Sequence, residues 1–169
     1  MIAEQKTNRV KRTKFTSEQF TVFSHKSFFE VTEALENTLQ RCSISRMMEY
    51  VTHQDRKGLE AYVDSVSKPF SIFWSFEQGT AMRLGGIPIE SKFYLVGNAV
   101  IARGLFEYSA AAGLGAPVRV CVSQRDGEET RIDVESPKGF FSRFPEMAAS
   151  SVPGLLEERM LKVFEQVAL

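Results

Sequence analysis

The chain has 169 residues, 43% hydrophobic and 25% charged, with Lys plus Arg at 21 and Asp plus Glu at 21. That length suits one domain, and the apolar fraction is enough for a sizeable core, which argues against disorder over most of the chain. The charge balance argues against a nucleic-acid-binding domain, whose affinity rests on phosphate neutralisation. Every apolar run falls well short of the ~20 residues that a bilayer-spanning helix needs, so no membrane partner is expected.

Met1 to Lys14 is polar, lacks the apolar core of a secretory signal, and reads as a flexible leader (residues 1–14). Residues 15–169 read as a single domain. Phe15 to Ser24 alternates as a first strand. Ser27 and Glu30 have capping-box spacing, and the helix they open puts Val31, Leu35 and Leu39 on one face, to about Arg41. Residues 42–67 read as a helical insertion, with a short helix around Met47 to Val51 and a second one capped by Asp55.

Pro69 ends that stretch, and Phe70 to Phe76 is a strongly apolar strand. Glu77 to Leu84 fits a short helix closed by Gly85-Gly86. Ser91 to Val96 is the next strand, and Gly97-Asn98 turns it into a helix over Ala99 to Ala112 with Asn98 as N-cap. Val118, Val120 and Val122 alternate with polar residues, Asp126-Gly127 is a hairpin turn, and Ile132 and Val134 lie on the return strand. Phe140 to Pro145 reads as an aromatic loop that either covers the core, the favoured reading, or forms an interface. Pro153 opens a C-terminal amphipathic helix carrying Leu156, Met160 and Phe164. The expected fold class is α+β, with a single antiparallel or mixed sheet and helices packed on one face, a two-layer sandwich.

Three segments in order carry a family likeness: Phe73-Trp74-Ser75-Phe76, then Lys92-Phe93-Tyr94-Leu95-Val96-Gly97-Asn98-Ala99, then Gly113-Leu114-Gly115-Ala116-Pro117-Val118. With the hairpin that ends at Pro137, they resemble the domain of unknown function 302 family. The resemblance implies a small α+β sandwich-like domain, often dimeric, and hence a homodimer. It implies no reaction. Family members often have an Asp-His pair where this chain has Ser75-Phe76-Glu77, which leaves Glu77 as the substitute.

The Gly97-Asn98 turn is the most site-like feature, because free amides at a helix start attract anions. With Arg103, Arg119 and an aromatic wall at Trp74, it gives a ligand-binding set of Trp74, Asn98, Arg103 and Arg119 for a small anionic or aromatic molecule. The plain alternative is an ordinary turn capped by Asn98. Glu77, next to Phe76, and Tyr94 are the acid–base candidates, since a carboxyl in an apolar setting has a raised pKa. The alternative there is a solvated surface carboxylate and a packed aromatic.

His25, His53, Cys42 and Cys121 are scattered without ligand spacing, so no metal is expected. No Walker or dinucleotide motif is present and no cofactor is expected. The two cysteines give no disulfide framework and suit a reducing, cytoplasmic setting. Three functions remain open: a small-molecule binding domain; a cofactor-free isomerase, lyase or cyclase using Glu77, Tyr94 or Arg119; and an assembly protein using its C-terminal helix.

Overall fold

The computed structural model describes residues 10–169, so most of the expected leader lies outside the described residues. The alternating runs become six strands: β1 (Gln19–Ser24), β2 (Gln40–Arg41), β3 (Ser71–Phe76), β4 (Ile89–Gly97), β5 (Val118–Arg125) and β6 (Thr130–Glu135). They form one sheet in the order β1-β6-β5-β4-β3-β2, antiparallel except for the β2–β3 pair. The α-helices of the described residues are α1 (Phe28–Thr38), α2 (Ile44–Thr52), α3 (Arg56–Val66), α4 (Gln78–Leu84), α5 (Ala99–Phe106), α6 (Pro137–Phe141) and α7 (Val152–Ala168). The fold class is therefore mixed α+β around a single open sheet. None of these helices is long and apolar enough to cross a membrane.

The period-two alternation of a strand sends successive side chains to opposite faces, and register then gathers the apolar ones. Tyr94, Val120 and Val134 lie in register and are buried, as are Val122 and Ile132. Against this face pack α1, through Val31 and Leu35, and α7, through Met160 and Phe164. Each such side chain contributes about 1.5–3 kcal/mol on burial. The Leu156, Met160 and Phe164 stripe is spent on this core, and it offers no free surface for assembly. Phe140 and Phe141 are also buried, so the aromatic loop does cover the core.

Caps fix the helix starts. Ser27 and Glu30 form the capping box of α1, Ser43 caps α2, and Asp55 accepts from the Gly58 amide at 2.9 Å to start α3. A second small core, Cys42, Tyr62 and Val63, joins α2 and α3 to the sheet edge.

Three details depart from the sequence reading. The first strand begins at Gln19 rather than Phe15; Phe15 instead lies 3.5 Å from the Arg143 guanidinium, which stacks equally close to Phe140. The helix expected to reach Ala112 ends at Phe106: Tyr108 bonds back to Leu105 in a tighter turn and extended Ser109 redirects the chain into a 3-10 turn, Ala110–Leu114. The third departure is a bulge in β3. Ile72 faces Val96 and Trp74 faces Leu95, so Phe73 has no partner on β4. Ile72 points into the core, whereas Trp74 and Phe76, of the same sequence parity, stand on the opposite face, each about half exposed (49% and 47%).

Candidate functional site

The bulge, the β4–α5 turn and the start of β5 surround a cavity of about 370 Å³. Its floor is made of buried groups, among them Leu105, Val118 and Leu156, and Phe73 forms a side wall. Its mouth carries Trp74 and Phe106, each about half exposed. Small residues keep it open: Gly97, Ala99, Ala102 and Ala116 all face it. The lining contains two polar side chains, Asn98 and Arg103. A concave, mainly apolar space with a few polar groups is the usual form of a small-molecule site, and this partly open one lies at the low end of the ~300–1,000 Å³ range.

Asn98 is fully engaged by the protein. Its Oδ1 accepts from the Val100 and Ile101 amides at 2.9 and 3.1 Å, and its Nδ2 donates to the Ser67 and Pro69 carbonyls at 3.1 and 3.0 Å. The amides at the start of α5 are thus taken by their own cap, and Asn98 ties the turn to the end of α3. Arg103 is exposed on α5, and its Nε lies 3.7 Å from Glu107 one turn on.

Arg119 is not part of this cavity. It stands opposite Leu95 on the sheet face away from the main core and pairs closely with Glu135, lining a separate shallow cleft with Phe93, Cys121 and Asp133. Burial, more than any neighbouring charge, pushes the Cys121 thiol above its ordinary pKa, which keeps it protonated at neutral pH.

Glu77 and Tyr94 meet through a third and a fourth residue. Lys92 Nζ lies 2.8 Å from Glu36 and 3.4 Å from Glu77, and the Tyr94 hydroxyl donates to Glu36 at 3.2 Å. Arg41 joins from β2, 3.3 Å from Glu36 and 3.1 Å from Ser75. Burial, and then the Glu36 carboxylate, drives the Tyr94 phenol far above its usual pKa. Tyr94 is therefore a protonated donor at neutral pH, buried on the core face, and neither it nor Glu77 lines the cavity. The arrangement ties β2, β3 and β4 to the end of α1.

Of the residues singled out in the sequence, Trp74, Asn98 and Arg103 share one cavity, Glu77 and Tyr94 share one polar network, and Arg119 stands apart. Phe73, Leu105, Phe106 and Leu156 complete the cavity and were not singled out. Their signal in the sequence is that of ordinary apolar core.

Fold and cavity together define a small α+β domain whose sheet carries helices on one face and an apolar chamber at one end. Residues 57–167 match the model of the domain of unknown function DUF302, and the chain belongs to that family. The match takes in nearly all of α3 and leaves α2 outside. A solved structure similar to it is the uncharacterized conserved protein DUF302 from Bacillus stearothermophilus, with 16% identity, a TM-score of 0.64, and coverage of 89% of this chain and 98% of that chain. At that identity the likeness is one of fold. No curated protein matches the chain. The family description assigns no activity, so function has to be argued from the site.

Proposed function

We propose that the protein is a binding domain for a small, largely apolar molecule, aromatic or aliphatic, held in the chamber between β3, β4 and α5. The observation that carries this reading is the apolar chamber itself, about 370 Å³ with a buried floor and an aromatic mouth. Divided by roughly 30 Å³ for each water-sized atom, that volume takes about a dozen non-hydrogen atoms. Trp74 is the chain's single tryptophan and stands at the mouth, so its fluorescence reports on occupancy directly. Titration with 1-decanol is expected to shift that fluorescence saturably and raise the melting temperature. Ala102→Phe, which fills the chamber from α5, is expected to abolish both effects. Saturable binding that survives in Ala102→Phe refutes the location, and no binding to the wild-type chain refutes the reading.

A second reading concerns the sheet face away from the main core. Trp74 and Phe76 stack there with centroids 5.9 Å apart, and Phe93 meets Trp74 edge-on at 6.0 Å. An exposed apolar patch of this kind marks a contact surface. We propose a second copy of the chain as the occupant, since the ion pairs Arg119–Glu135 and Arg131–Asp133, farther across the same face on β5 and β6, supply both signs of charge for self-complementary packing. Sedimentation velocity is expected to give a dimer that Phe76→Glu converts to a monomer; a wild-type chain monomeric at all concentrations removes this reading. The proposed setting is the cytoplasm, because the free thiols of Cys42 and Cys121 suit a reducing compartment.

A further inference from the structure

We infer that the ligand of this chamber carries a single negative charge, and that its class is a medium-chain monocarboxylate with its head on Arg103 and its tail between Phe73 and Leu105. The inference rests on the binding reading above and adds the polarity of the ligand. Two polar side chains line the chamber, and they differ in availability. All the hydrogen-bonding groups of Asn98 are used within the protein, two acceptor bonds and two donor bonds, so it has nothing left to present to a guest. Arg103 is the opposite case. Among the described residues its guanidinium makes no side-chain hydrogen bond, and its ionic neighbour is Glu107 at 3.7 Å, with the two side chains 67% and 63% exposed. An exposed pair at that distance is weak and readily exchanged.

The chamber therefore has one end that only apolar atoms satisfy and one edge where a fixed positive charge waits beside a competing carboxylate. A planar guanidinium accepts a carboxylate in two parallel hydrogen bonds, which a neutral hydroxyl cannot match. One cation matches one negative charge. The chamber volume sets the tail: about a dozen non-hydrogen atoms in all, the size of decanoate.

The test compares decanoate with 1-decanol on the full-length chain, followed by Trp74 fluorescence and calorimetry. Decanoate is expected to bind the wild-type chain about three- to fivefold more tightly than 1-decanol, the worth of an ion pair on an exposed guanidinium. Arg103→Gln is expected to remove that advantage while leaving 1-decanol affinity within about twofold, and Glu107→Gln, which removes the competing carboxylate, is expected to tighten decanoate alone. Equal affinities for the two compounds in the wild-type chain and in Arg103→Gln would overturn the anionic head and leave the chamber reading intact. Failure of both compounds to bind overturns the two together. Arg103 on α5 and Glu107 just past its end are both exposed, so each variant is expected to keep the wild-type circular dichroism spectrum.

Discussion

Asn98 offers the sharpest test of how the β4–α5 turn is held, because its two halves do different work. The carboxamide oxygen caps α5 through the Val100 and Ile101 amides, and the nitrogen holds the Ser67 and Pro69 carbonyls. Asn98→Ala removes all four bonds. Loss of the cap costs about 1 kcal/mol, and each carbonyl left without its donor costs on the order of 1 kcal/mol where it is partly shielded from water, so the total is roughly 2–4 kcal/mol. For a chain of this size that is about 4–16 °C in melting temperature. Asn98→Asp separates the halves. Aspartate caps as well as asparagine and suits the positive end of the helix, but it has no donor and sets a charged oxygen against two carbonyl oxygens about 3 Å away. Asn98→Asp is therefore expected to be as destabilised as Asn98→Ala at neutral pH, or more so. Urea denaturation followed by circular dichroism gives both values. Should Asn98→Asp fall within about 0.5 kcal/mol of the wild type, the turn is an ordinary helix cap and the tie to the end of α3 contributes nothing.

Two further outcomes follow from the packing and the polar network. A Cβ on Gly79 would lie 2.6 Å from the Ser91 amide nitrogen and 2.9 Å from the Ile89 carbonyl oxygen, both backbone atoms, so Gly79→Ala is expected to lift α4 from β4 and cost about 1–3 kcal/mol in urea denaturation; a neutral result would show that α4 is not seated there. Because the Tyr94 phenol is pushed upward in the folded chain, stability is fully present at neutral pH and declines as the pH rises past ~10, where the unfolded phenol ionises. Tyr94→Phe is expected to flatten that alkaline decline in a pH series of denaturation curves, and an unchanged slope would refute the assignment.

How far the sequence leads depends on how local the cause is. The capping box at Ser27, the caps at Asp55 and Asn98, and the valine alternation of β5 are decided by neighbours within a few residues, and they are readable without coordinates. Asn98 and Arg103 share a cavity because a turn and the first turns of a helix keep them close, and Trp74 joins them through the pairing of β3 with β4. The two-residue strand β2 carries no pattern long enough to detect, and it exists because β3 supplies the partner. Arg119 looked close to Asn98 in topology, yet its side chain pairs with Glu135 on β6, on the side away from the chamber that its register partner Leu95 lines. The bulge in β3 was hidden for a different reason. Phe70 to Phe76 is apolar at nearly every position, so no alternation marks where the phase changes.

That phase change separates two jobs that strands usually combine. A residue within a regular ladder is constrained twice, once by its cross-strand neighbour and once by whatever its side chain touches. Phe73 answers to the second demand alone, since β4 pairs with the residues on either side of it. One side of the chamber is thus supplied by the position in β3 that the ladder leaves out of its pairing. A substitution there reshapes that side of the chamber without breaking a β3–β4 pair, and it is felt also by the small core of Cys42, Tyr62 and Val63, on which the same ring packs.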